Sequence, residues 1–153
     1  MHRLGLLFAL AVFAVTVPGV AVKAETASGQ PNNSRNDLGF SLGTPAALNL
    51  EWEHVTGSGT LALSGMYFGD THGLQVGYAP SRLRSSTNPL RLQVIAGTLQ
   101  MAPEGADLTK WTYVGAEGVW RPGRFLLAIG LTVGSGTDSS PQLTARIGLV
   151  WPL

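Results

Sequence analysis

"LNLEWEHV", residues 48–55, alternates strictly, with Leu48, Leu50 and Trp52 on one side and Asn49, Glu51 and Glu53 on the other. A period of two marks a β-strand, because successive side chains of an extended chain point to opposite faces. One face of this strand is apolar and the other carries two carboxylates. Which of the two meets water decides the class of protein.

The same rhythm recurs on both sides of this stretch. Alternating segments fall at about 38–43, 46–55, 60–68, 73–80, 90–100, 111–121, 124–134 and 142–151. Between them lie Thr44-Pro45, "TGSG", "GDTH", "SRLRSSTNP", "MAPEGADLTK", Pro122-Gly123 and "SGTDSSP", all rich in turn-forming residues. No helical period of useful length interrupts them. Short connectors join antiparallel neighbours, and eight such strands lose their exposed edges by closing on themselves. The expected fold is all-β, an eight-stranded antiparallel up-and-down barrel over residues 38–153.

Two segments precede it. Residues 1–24 start with a basic residue, Arg3, run apolar from Leu4 to Val17, and end in Val22-Lys23-Ala24. That order of charge, short apolar run and small residues is a secretory signal peptide, cleaved after Ala24. Residues 25–37, "ETASGQPNNSRND", have no apolar period and read as a flexible lead. The chain contains no cysteine, so it has no disulfide framework and no thiolate metal site. Arg3 and Lys23 leave with the signal peptide. The remainder then has two fewer of the ten basic residues against nine acidic ones, a net charge of −1 that excludes a nucleic-acid partner.

Charge is also scarce: 12% of the chain, about half the usual share of a soluble domain. The row that includes Glu51 and Glu53 continues through Ala62, Ser64, Gln75, Gly77, Arg91, Gln93, Gly97, Gly115, Glu117, Ala128, Gly130, Thr132, Thr144, Arg146 and Gly148. Small residues with three Glu and two Arg suit a narrow interior in which opposite charges pair. As a soluble exterior the row is too poor in charge. The opposite row is leucine, valine, isoleucine and aromatics. Its aromatics gather near strand ends: Phe40, Trp52, Tyr78, Trp120, Phe125 and Trp151 toward the termini, Tyr67 and Trp111 toward the other end. Two aromatic girdles bounding an apolar band are expected of a transmembrane barrel. The apolar row is therefore assigned to lipid, and Glu51, Glu53, Arg91, Glu117 and Arg146 to an interior charge network.

The last strand, "LTARIGLVWPL", keeps its period of two from Leu143 to Trp151, with Pro152-Leu153 after the aromatic. With the signal peptide and the architecture, this resembles the small eight-stranded outer-membrane barrels of the OmpA transmembrane-domain and OmpX type, over about residues 38–153. The resemblance implies a Gram-negative outer membrane, periplasmic termini, and recognition of the final strand by the barrel-assembly machinery. It implies a structural or interaction role with no cofactor and no metal.

Connector charges segregate. Arg82, Arg84, Arg121 and Arg124 lie on the side of the termini; Asp70, Glu104, Asp107 and Asp138 lie opposite, with Lys110. Solvated loop charge is the ordinary reading; contact with lipopolysaccharide through divalent cations is the functional one. The two histidines beyond the signal peptide are His54 and His72. Asp70 and His72 share the "GDTH" turn, an arrangement that could orient a base or hold a metal weakly. His54-Val55-Thr56 resembles the His-x-Ser of lipid A deacylases, with threonine for serine. No nucleophile motif accompanies either, so no enzyme is expected, and a lipid-modifying enzyme is the third reading. The second is a soluble secreted or periplasmic lipocalin-like barrel, in which Trp52, Trp120 and the apolar row would line a ligand pocket.

Overall fold

The computed structural model describes residues 34–68, 70–81, 89–102, 107–137 and 140–153. The expected signal peptide, most of the N-terminal lead, and Arg82, Arg84, Glu104 and Asp138 lie outside them. Eight strands follow in chain order: β1 Arg35–Gly43, β2 Ala47–Val55, β3 Gly59–Phe68, β4 Thr71–Pro80, β5 Leu90–Met101, β6 Thr109–Trp120, β7 Phe125–Gly136 and β8 Gln142–Pro152. Each pairs antiparallel with its sequence neighbours, and β1 pairs with β8, so the sheet is a closed barrel in the order β1 to β8. The register at the seam sets Phe40 opposite Leu149 and Leu42 opposite Ile147. Closure satisfies every strand edge, which an open meander of this length could not do.

Several strand ends differ from the expected ones, and those of β1, β4 and β6 move residues that bear on the site. β1 begins at Arg35, inside the segment read as a flexible lead. Asp37 belongs to the ladder, opposite Glu53 and Pro152, and its side chain is fully buried. β4 begins at Thr71, so His72 is in a strand rather than in a turn. β6 extends back to Thr109 and stops at Trp120, leaving Arg121 just beyond its end.

The connector between β6 and β7, residues 121–124, is closed by a hydrogen bond from the Phe125 amide to the Pro122 carbonyl (3.3 Å). Gly123 has φ +65°, in the left-handed region, and a Cβ built there meets nothing within 4 Å. Only backbone strain therefore opposes a side chain. Gly123→Ala is expected to lower the unfolding free energy by about 1–2 kcal/mol, as read by urea titration of the folded barrel.

The two faces separate cleanly. Asn49, Glu51, Glu53, Ser64, Gln75, Arg91, Gln93, Glu117, Thr132, Thr144 and Arg146 point inward and are buried. Leu48, Leu50, Leu74, Val76, Leu92, Val94, Val114, Ile129, Leu131, Val133, Ile147 and Leu149 point outward and are exposed. Several bulky inward side chains face a small one on at least one side of the ladder. Glu51 lies opposite Gly39 and Ser64, Glu53 opposite Ala62, Glu117 opposite Gly130, and Arg146 opposite Gly43 and Ala128. Large against small is how a narrow barrel fills its interior without voids.

Candidate functional site: the barrel interior

The interior is layered. Midway along it, Arg146 on β8 reaches two carboxylates from different walls. Its Nη1 donates to Glu51 Oε1 and Oε2 (2.9 Å each); its Nε and Nη2 donate to Glu117 Oε1 (3.2 Å) and Oε2 (2.8 Å). Ser64 Oγ donates to Glu51 (3.0 Å to Oε2), and Ser41 Oγ also bonds this carboxylate. Gln93 and Gln75 donate their amides to Glu117 Oε2 (2.7 and 3.3 Å), and Tyr113 Oη donates to Gln75 Oε1 (2.8 Å). Every one of these side chains is buried.

A second cluster lies toward the end where β1 begins and β8 finishes, called here the terminal end. Arg91 pairs with Glu53, donating from Nη1 to Oε2 at 3.1 Å. Arg121 bridges Glu53 and Asp37, at 3.0 Å from Asp37 Oδ2. Arg35, half exposed, closes on Asp37 Oδ1 at 2.8 Å. The five residues assigned to an interior network are thus divided between two groups: Glu51, Glu117 and Arg146 in one, Glu53 and Arg91 in the other. Asp37 and Arg121 belong to the second group and were not anticipated. Arg121 had been placed among solvated connector charges. It follows outward-facing Trp120, so continued alternation turns it inward. Asp37 sat in a segment whose Asn and Asp content read as coil.

Such groups are obligatory rather than generous. A buried ion loses several kcal/mol of hydration, which only close partners and additional hydrogen bonds recover. Between and beyond the charges, apolar side chains complete the filling. Val119, Leu126, Ala128 and Val150 cluster on the β6–β8 wall, and Ile95, Trp111 and Tyr113, with Leu99 against them, cluster toward the far end.

Trp111 is a correction. It was expected in the outer aromatic girdle, but it is 2% exposed inside the barrel. The β5–β6 register runs unbroken from Met101 opposite Thr109 to Leu90 opposite Trp120. With no bulge, Trp111, Tyr113 and Glu117 must share a face, opposite to that of Trp120. Glycine makes the room: Tyr113 is flanked by Gly97 and Gly134, and Trp111 by Gly136. A Cβ at Gly97 would come within 2.7 Å of the Tyr113 ring. The signal was present in the sequence as aromatics at the parity of Glu117. Trp52, Tyr67, Tyr78, Trp120, Phe125 and Trp151 do lie on the outward row, and Trp120 and Phe125 meet edge to face at 5.9 Å.

The histidines do not assemble a site. His54 donates from Nδ1 to Asn36 Oδ1 (2.8 Å) and stacks with Trp52 at 6.0 Å. His72 packs beside its cross-strand partner Tyr67 at 5.4 Å, and its Nδ1 has no hydrogen-bond partner among the described residues, Asp70 included. Among the described residues no group of three or more His, Asp or Glu could hold a metal ion. Asp70, Asp107 and Lys110 are exposed at the far end.

No protein-family profile matches the chain, and no curated protein matches it. Among solved structures, it is similar to the N-terminal β-barrel domain of Pseudomonas aeruginosa OprF, at 15% identity and a TM-score of 0.42, over 81% of this chain and 100% of that one.

Proposed function

We propose that this chain is a small barrel of the Gram-negative outer membrane, spanning it with eight strands and serving a structural or interaction role rather than a catalytic one. One observation carries the reading: the barrel is inside out relative to a soluble protein. Its charged side chains fill the lumen, while a continuous girdle of leucine, isoleucine and valine, with Val94 65% and Leu131 57% exposed, faces outward. A water-exposed patch of that extent would be a severe aggregation liability; against hydrocarbon it is the required surface. The interior clusters favour a plug over an aqueous channel. The lipocalin-like reading needs an apolar lumen, but Trp120, Leu92 and Val94 point away from it.

In this reading residues 1–24 direct export and the final strand presents itself to the assembly machinery. The acidic far-end loops face outward, toward lipopolysaccharide and its divalent cations. The test is fractionation of producing cells with gel migration of unboiled and boiled samples. A membrane barrel is recovered in the outer-membrane fraction and shifts on boiling. A soluble protein with no shift refutes the reading.

A further inference from the structure

The terminal end of the lumen holds a mostly enclosed cavity of about 210 Å³. Thr56, Thr60, Ala79, Ser81 and Arg91 line it, from the β2–β3 turn, the end of β4 and the start of β5. Thr60 and Ala79 are cross-strand partners and, like Arg91, are buried on the inward row. The turn is pinned in place. Thr56 Oγ1 donates to the Gly59 carbonyl (3.1 Å), and the Ser81 amide donates to the Ser58 carbonyl (2.9 Å).

The walls offer donors and lack acceptors of matching charge. No carboxylate is among the described lining residues. The hydroxyls of Thr60 and Ser81 make no hydrogen bond with a described residue. The Arg91 side chain is 9% exposed, and Glu53 takes its Nη1 and Nη2. Its Nε finds no acceptor among the described residues. Arg146, equally enclosed, has Nε, Nη1 and Nη2 all bonded to carboxylates. The terminal cluster as a whole is short of negative charge: Arg35, Arg91 and Arg121 share two carboxylates, Asp37 and Glu53. The Nε of Arg121 is likewise unpartnered among the described residues. A buried donor without an acceptor is costly, and an unmatched buried cation more so.

We infer that this cavity binds one small oxyanion of the phosphate class, held by the Arg91 guanidinium with the Thr60 and Ser81 hydroxyls donating to its oxygens. A guanidinium matches such an ion in charge and in the spacing of its donors, and hydroxyls rotate to complete the shell. Size narrows the class. The volume falls below the lower bound of about 300 Å³ for drug-sized ligands, yet is several times the roughly 30 Å³ of one water. It admits a free inorganic ion, not a nucleotide or a lipid. The inference uses the interior geometry alone. In the membrane-spanning reading the cavity opens toward the periplasm.

The test is calorimetric titration of the full chain, refolded in octyl glucoside free of phosphate and sulfate, with inorganic phosphate at fixed ionic strength. The boiling-shift gel reports folding of each sample. The expected result is one saturable site per chain, competed by sulfate and not by chloride. Thr60→Val and Ser81→Ala should each weaken binding about tenfold, the loss of one hydrogen bond to a charged group. Arg91→Gln should abolish saturation, and Thr98→Val on the outward face should leave the affinity unchanged. Should Arg91→Gln lose the boiling shift, the two hydroxyl variants, which break no hydrogen bond between described residues, decide alone. No saturable heat from folded wild-type protein overturns the inference and leaves a cavity that holds water. Equal affinity in the wild type and both hydroxyl variants overturns it too, because the ion then binds elsewhere.

Discussion

Arg146→Ala is expected to destabilise the barrel by about 3–5 kcal/mol, the cost of breaking a buried ion pair and leaving charge behind. The guanidinium is bound by two carboxylates, so its removal strands both Glu51 and Glu117 in an interior where neither is more than 1% exposed. Ser41, Ser64, Gln75 and Gln93 remain as neutral donors, which solvate a carboxylate less well than a cation does. Urea unfolding of vesicle-inserted protein should show a lower midpoint with an unchanged slope. The companion variant separates charge from volume. Arg146→Met combined with Glu51→Gln and Glu117→Gln removes all three charges and keeps most of the bulk. Replacing a complete buried ionic group in this way is often close to neutral, so most of the lost stability should return. If Arg146→Ala unfolds at the wild-type midpoint, the lumen is wet enough to solvate two carboxylates, and the plugged interior proposed above is wrong.

The reach of the sequence follows from which features are local. Alternation is a property of one strand, and it located the β2 carboxylates, the β8 arginine and the exterior rows correctly without any knowledge of pairing. For Trp111, strand-end position and parity point opposite ways, and parity prevails. Carrying the phase of Glu117 back six residues puts the indole inside, and the glycines beside it show where it fits. Asp37 failed for a different reason. Nothing within "NNSRND" distinguishes a coil aspartate from a ladder residue until β1 is laid against β2 and β8, which brings Asp37 beside Glu53 and supplies Arg121 as a shared cation. Partner choice is likewise non-local. Five interior charges were legible, but their division into two groups depends on strands 95 residues apart in sequence, as with Arg146 and Glu51.

Ile129→Arg is expected to cost about 2–4 kcal/mol and to block insertion, because it places a cation on the outward face near the middle of β7. The side chain is 52% exposed, lies opposite Gly118 and Ala145, and belongs to a row running from Phe125 to Val133 with no charge. This exposure gives the substitution its discriminating power. In a soluble barrel a half-exposed isoleucine is ordinary surface, and arginine there would change stability by no more than about 0.5 kcal/mol while improving solubility. In hydrocarbon the same guanidinium must be desolvated or drawn toward an interface, and Ile129 lies too deep in its strand for an easy escape. Thr112→Arg, also outward but only three residues into β6 and near the far rim, should be far milder, since the penalty falls to about 0–1 kcal/mol at the interface. Refolding into phosphatidylcholine vesicles, followed by the boiling shift, reads both variants. A strong loss for Ile129→Arg with a weak one for Thr112→Arg traces the depth profile of a bilayer onto the barrel wall. Equal, negligible effects at the two positions would mean that the apolar girdle faces water.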